Sequence, residues 1–281
     1  MRVHVPEQGW FPVEANGLRF ACFGEGEGPL LLMLHGFPDT AHTWDELRPR
    51  FAREGFRVVT PFMRGYAPTP APARDDYGAE TLARDVLALI EALGAERAAV
   101  VGHDWGALAA WAAAARGPER IEKLVTVAIP HPASLRPSPG KLWGVRHFIE
   151  LQLPGAEERF ARNDHAGVRV LYERWSPGAA WEEAEFEAVR NCFAAPGALR
   201  AAMGYYRAFS PLVPGWLRRP IQVPTLVVGG ETDGVATRAD FERSAAWVEA
   251  PFAVAMLPGG HFLHREAPDP FFERVSAYLR G

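Results

Sequence analysis

Cysteine is scarce: Cys22 and Cys192 are the whole supply in 281 residues. So far apart, they form neither a disulfide framework nor a metal-ligand spacing. Lysine is scarcer than expected, two against 28 arginines, which reflects coding preference more than chemistry. There is no basic cluster, and the net charge is −4. Together these exclude nucleic acid as the main partner. Long apolar runs are missing too. The longest clear one is Leu30–Leu34, far short of the ~18–20 residues that a membrane span needs. Met1–Glu14 has no apolar h-region, so no signal peptide is visible and a cytoplasmic location is the expectation. Neither a fixed-period repeat nor a low-complexity tract occurs. Hydrophobic residues make up 48% and charged residues 23%, the balance of a globular chain and not of a disordered one. At roughly 100–200 residues per domain, the length allows one large domain or two small ones.

The local pattern narrows this. Leu18–Phe23 reads as a strand, and Leu30–Leu34 as a strand buried on both faces. Thr43 is the expected N-cap of a helix over Trp44–Glu54. Phe56–Thr60 reads as a strand, and Thr81–Leu93 places Leu82, Val86, Leu89 and Ile90 on one helical stripe. Ala98–Val101 is a short buried strand, Trp105–Arg116 an Ala-rich helix and Leu124–Ile129 the next strand. The alternation then stops. From His131 to Pro220, Pro-rich turns separate helical stretches. Strands resume at Pro224–Val228 and Phe252–Leu257, and Pro270–Arg280 closes the chain as a helix. Such alternation with one all-helical interruption predicts an α/β fold: a mostly parallel central sheet, helices on both faces, and an inserted helical cap. The expected division is a core over 1–130, a cap over 131–220 and the rest of the core over 221–281.

Sites in such sheets form at the carboxyl ends of the strands. After Val101 comes Gly102-His103-Asp104-Trp105-Gly106, opening directly into a helix. Its glycines permit a sharp strand-to-helix turn that lifts Asp104 into the open. The turn also sets the Trp105 N–H at a helix N-terminus, where an anion is stabilised. Alone, the motif also fits an ordinary turn with Asp as N-cap. After Leu34 comes His35-Gly36-Phe37-Pro38. The Phe37 N–H is the natural second oxyanion donor, and Phe37-Pro38 is a candidate cis peptide. After Val228 come Glu231 and Asp233; after Leu257 come Gly259-Gly260-His261. Of nine histidines, His261 alone lies just past a late strand behind two glycines. His264 lies a turn further on and is expected to pack or face solvent. Asp233 is preferred to Glu231 as the partner of His261.

These motifs stand in the order nucleophile, acid, histidine. Over nearly its whole length the chain resembles the α/β-hydrolase fold and, within it, the epoxide hydrolases. HGFP, GHDWG, the GETD loop and GGHF carry the resemblance. So does the cap segment Pro196-Gly197-Ala198-Leu199 with Tyr205-Tyr206-Arg207, which is similar to the helix bearing a ring-opening tyrosine. The family usually pairs two such tyrosines. The segment Val145–Gly155 resembles the first-tyrosine region but has His147 at the matching position. A second departure is the loop Phe62–Thr69: the family commonly has an acidic residue at Phe62 and Gly at Ala67. This loop reads as structural and not catalytic.

The nucleophile type selects the chemistry. A serine attacking an sp³ carbon would leave an ether that water does not readily cleave; a carboxylate leaves an ester, which water can cleave. Asp104 therefore points to displacement at alkyl carbon. The resemblance implies an epoxide opened by Asp104 while Tyr206, with His147, stabilises the leaving oxygen. His261, oriented by Asp233, then activates water, and the Phe37 and Trp105 N–H groups hold the oxyanion. Phe37, Trp105 and Phe148 are the expected substrate-binding side chains. No cofactor and no metal is expected. The implied partners are a small apolar epoxide and water, with no nucleic acid or membrane, and a homodimer is admitted. Haloalkane dehalogenation by the same Asp-His-Asp triad is the alternative. Trp105 fits it, but Phe37 stands where such enzymes usually have Asn, and Trp143 would have to serve as the second donor. Fluoroacetate dehalogenases carry Arg after the nucleophile, where this chain has Trp105. A non-catalytic binding protein on the same fold is the third reading, disfavoured because all three triad members are present.

Overall fold

The computed structural model describes residues 9–135, 146–210 and 212–281. Eight strands form one sheet in the order β1-β2-β4-β3-β5-β6-β7-β8. They are β1 Phe11–Ala15, β2 Leu18–Glu25, β3 Leu30–Leu34, β4 Arg57–Pro61, β5 Ala98–His103, β6 Ile121–Val127, β7 Thr225–Gly230 and β8 Phe252–Leu257. β1 and β2 pair antiparallel, as do β2 and β4; every other pair is parallel.

The apolar run of β3 divides between two layers, because successive side chains in a strand face opposite ways. Leu30, Leu32 and Leu34 join one buried cluster; Leu31 and Met33 join the other. β5 divides in the same way, Val100 to the first and Val101 to the second. Helices α1 (Leu47–Arg53) and α11 (Pro268–Arg280) cover the second cluster through Leu47, Phe51, Phe271 and Val275. Helices α2 (Ala79–Ala92) and α3 (Trp105–Arg116) cover the first through Leu82, Val86, Ala109 and Trp111. Burying each large apolar side chain contributes about 1.5–3 kcal/mol, so a strand with no polar position on either face is stable only inside such a sandwich.

Between β6 and β7 the described residues form helices and no strand: α4 His147–Glu150, α5 Ala156–His165, α6 Gly167–Trp175, α7 Glu187–Ala194 and α8 Ala198–Ala208. Two short helices, α9 Arg238–Glu242 and α10 Leu263–Glu266, follow β7 and β8. No helix is long and apolar enough to cross a membrane among the described residues.

Three details differ from the sequence reading. β1 was not foreseen, although Asn16-Gly17, both with positive φ, joins it to β2 as a two-residue hairpin. Pro12 masks the strand pattern, yet an edge strand tolerates it. Thr43 caps nothing. Thr40 caps a 3₁₀ turn over Ala41–Trp44, and α1 starts only at Leu47, without a side-chain cap. The Thr43 hydroxyl instead meets His264 Nε2 at 2.6 Å in the interior. The last helix begins at Pro268, two residues early, since Pro suits a first helical turn.

Candidate active site

The β5–α3 turn holds Asp104 at φ 50°, ψ −118°, a backbone conformation that costs a non-glycine residue about 1–3 kcal/mol. The flanking glycines are obligatory. A Cβ on Gly102 would lie 2.2 Å from the Gly106 carbonyl oxygen, and one on Gly106 would lie 2.5 Å from that of Leu34. Gly36 is equally constrained, since its Cβ would sit 2.3 Å from that of Asp104. That close approach lets the Phe37 N–H donate to Asp104 Oδ1 at 2.8 Å. Phe37-Pro38 is cis. His35 braces the loop. Its Nε2 accepts from the Met63 N–H at 2.9 Å, which puts the proton on Nδ1, 3.0 Å from the Gly36 carbonyl. Burial lowers its pKa to about 4, so it stays neutral.

The second oxygen of Asp104 lies 3.5 Å from His261 Nε2. On the other side of the ring, Nδ1 meets Asp233 at 3.2 and 3.3 Å. The Asp233 side chain is fully enclosed and accepts the Val235 and Ala236 N–H groups at 2.7 and 3.3 Å. Burial alone would strip the proton from His261. The Asp233 charge, joined by the hydrogen bond and charge of Asp104, reverses this and raises its pKa to about 10. Burial likewise penalises ionised Asp104. The hydrogen bond and charge of His261, then the Phe37 N–H, outweigh it and hold the carboxyl below its ordinary range. The resting arrangement is an imidazolium between two carboxylates.

Of the residues singled out from sequence, Asp104, His261, Asp233 and Phe37 thus converge. Trp105 opens α3, with its ring 5.0 Å from that of Tyr206. Tyr206 descends from α8 and is also packed on Phe37 at 5.2 Å, Phe148 at 5.2 Å and His147 at 5.6 Å. Its hydroxyl is buried, with the Trp105 indole N–H facing it and no other partner among the described residues. Burial, then the Asp104 charge, raises the Tyr206 pKa well above the phenol range, so it remains a donor. His147 is buried, 4.6 Å from the ring of Trp175. Phe148 and the part-exposed Phe209 form an aromatic layer over Trp105. Glu231 is solvent-exposed, and His264 is buried against Trp44. Trp143 lies outside the described residues.

Two contributors carried no sequence signal. The Trp175 carbonyl, at the end of α6, accepts the N–H groups of both Gly234 and His261, at 3.0 and 3.1 Å. It clasps the acid and histidine loops to the cap. His103, beside the nucleophile, lies 3.0 Å from the His261 carbonyl oxygen through Nε2, which must be the donor. Burial, then the charge of His261, lowers its pKa to about 3 and keeps it neutral. Both act through backbone atoms, which residue identity does not reveal.

The α/β hydrolase fold family matches the chain over residues 29–268. Epoxide hydrolase 3 of Siraitia grosvenorii is 32% identical over 310 residues, covering 95% of this chain and 96% of that protein. Mouse Epoxide hydrolase 4 is 30% identical over 282 residues, covering 95% of this chain and 78% of that protein. The crystal structure of a Bacillus megaterium epoxide hydrolase with an inhibitor superposes with a TM-score of 0.84 at 24% identity, covering 96% of this chain and all of that one.

Proposed function

The chain belongs to the α/β-hydrolase fold family and, within it, to the epoxide hydrolases, and from that premise we propose that it hydrolyses an epoxide to a vicinal diol through an ester on Asp104. The observation that carries the reading is the opposition of two groups. An ionised carboxylate is anchored by the Phe37 N–H, and the buried Tyr206 hydroxyl, close enough to sense the Asp104 charge, comes from the cap helix α8.

Asp104 attacks a ring carbon from behind, and the C–O bond breaks toward the cap. There Tyr206, with His147 beside it, donates to the departing oxygen, which ends as the product hydroxyl. Esterification removes the negative charge of Asp104. His261 thereby loses one of the carboxylates that hold its proton and its pKa falls; its proton is released and restores the Tyr206 phenol, and the free imidazole takes a proton from water. The hydroxide formed attacks the ester carbonyl. The Phe37 N–H, already directed at that oxygen, and the Trp105 N–H at the helix N-terminus hold the tetrahedral oxyanion. Collapse then breaks the bond between the carbonyl carbon and the alkyl-bearing oxygen, which takes the proton of the new carboxyl and leaves as diol, returning the Asp104 carboxylate. Asp233 keeps Nδ1 protonated and the ring aimed. The apolar enclosure by Phe37, Trp105 and Phe148 suits a small apolar epoxide. The core and cap division at 131–220 and a cytoplasmic, cofactor-independent enzyme complete the proposal.

The test is His261→Gln mixed with a terminal aryl epoxide. Intact-protein mass spectrometry should find a gain equal to one epoxide, mapping to the peptide of Asp104. Normal diol turnover by that variant would remove His261 as the base. The buried indole N–H of Trp105 beside the nucleophile favours a second reading, cleavage of short alkyl halides. Halide release from 1-bromobutane in the same assay measures it.

A further inference from the structure

The loop between β4 and α2 places a tyrosine among rings that pack on the site residues. Tyr66 closes a turn in which its N–H donates to the Met63 carbonyl at 3.0 Å, and the Met63 N–H is itself tied to His35. Gly65, at φ 80°, lets this turn press against the cap, since a Cβ there would lie 2.7 Å from that of Ala201 in α8. The Tyr66 ring stands edge-on to His35 at 4.6 Å, and near Tyr205 and Phe193 at 5.8 and 6.0 Å. Each neighbour leads to the site. His35 precedes the glycine packed on Asp104, Tyr205 touches Trp105 at 5.6 Å, and Phe193 touches Phe37 at 5.8 Å.

Tyr66 is 1% exposed, yet its hydroxyl has no hydrogen-bond partner among the described residues. The adjacent Tyr205 differs: its hydroxyl donates to the Arg64 carbonyl at 2.9 Å. Buried hydroxyls are almost always partnered, because leaving one bare forfeits its hydration. Burial, then the nearby Tyr205, Tyr206, Asp104 and Cys192, raises the Tyr66 pKa well above the phenol range, so the hydroxyl keeps its proton.

Geometry limits what it can meet. Backside attack by Asp104 drives the leaving oxygen away from the core, toward Tyr206. Tyr66 belongs to the core loop after β4, and its ring neighbours are His35, Tyr205 and Phe193 with Tyr206 not among them, which sets it beside that path instead of at its end. The hydrolytic water belongs to His261, whose aromatic neighbours are His103, Trp175 and Phe262, with Tyr66 not among them. What remains is the part of the substrate that does not react. We infer that the Tyr66 hydroxyl is a hydrogen-bonding subsite for an acceptor on the epoxide's substituent, such as an ether or hydroxyl oxygen close to the ring. The substrate class is then an apolar epoxide with one polar atom. This deepens the proposed function and rests on it for the reaction.

The test pairs phenyl glycidyl ether with 4-phenyl-1,2-epoxybutane, which replaces the ether oxygen by a methylene. Tyr66→Phe should lower kcat/KM for the ether about tenfold, the loss of one hydrogen bond, and leave the methylene analogue within about twofold. The variant should melt at a higher temperature than the parent, since an unpartnered buried hydroxyl is gone. Equal losses on both epoxides, or none on either, would overturn the inference. Calorimetric binding of the two corresponding diols separates it from the reaction. If neither epoxide yields diol but Tyr66→Phe selectively weakens the ether diol, the epoxide reading fails and the subsite stands. If diol forms but the variant binds both diols as the parent does, the subsite fails alone.

Discussion

The catalytic triad and the rings that enclose it treat their polar atoms in opposite ways. In the core, the carboxylates of Asp104 and Asp233 are held by backbone N–H groups, and His35 and His103 are fixed to backbone atoms. In the cap, Tyr206 presents a hydroxyl with no partner but the Trp105 indole N–H, and Trp175 an unsatisfied indole N–H, within a wall of rings. A satisfied network is rigid, and it suits a nucleophile that must be aimed. Unsatisfied donors in an apolar wall cost stability until something binds. They mark where substrate atoms complete the structure. The two regions meet at the Trp175 carbonyl, so cap placement and the aim of His261 are mechanically linked.

This contrast can be broken by substitution. The largest expected effect is on the core: Asp104→Ala should lower kcat by on the order of 10⁴-fold or more, because the residue that bonds to carbon is gone. Residual diol formation near the parent rate would reassign the nucleophile. Tyr206→Phe should slow single-turnover ring opening by roughly 10²–10⁴-fold, the usual worth of a general acid. Its melting temperature should change little, since the lost hydroxyl has no partner in the fold but the Trp105 indole N–H. A drop in stability with unchanged opening would make it a packing residue. Smaller still is Phe148→Ala, which should shift relative kcat/KM between bulky and small epoxides by about an order of magnitude or less; an equal effect on both would deny it contact with substrate.

Stability against pH sharpens the core half of the comparison. The His261 pKa is near 6.5 when unfolded and about 10 when folded. Its stabilising contribution is therefore complete below pH 6.5 and is lost as pH rises through about 10. Urea unfolding at pH 6, 8 and 10 should find the gap between the parent and His261→Gln largest at pH 6 and narrowing upward. A gap that widens with pH would contradict the buried imidazolium between two carboxylates.

The residues that were legible in sequence are those whose role is set by local chain geometry. Gly102 is needed because a Cβ there would strike the Gly106 carbonyl four positions on, which a local motif records; Gly106 and Gly260 meet Leu34 and Ser176 from elsewhere in the chain and were read through the same motifs. The continuous apolar run of β3 announced a strand buried on both faces. Less legible were contacts made across the fold. Thr43 looked like a cap by position, but its hydroxyl meets His264 from the far end of the chain. Tyr66 read as part of a structural loop, because nothing local reveals that its ring passes beneath Tyr205 and Phe193. The hairpin at Asn16-Gly17 carries a two-residue turn signal that the sequence reading did not use.

The covalent ester on Asp104 is the claim on which the account depends. A single turnover of the parent enzyme in ¹⁸O-labelled water, with enzyme in excess over epoxide, tests it most directly. Water attacks the ester carbonyl, so the label should enter the Asp104 carboxylate, and the first diol formed should carry none. Label found at once in the diol, with Asp104 unlabelled, would mean that water opens the ring directly and that no ester forms.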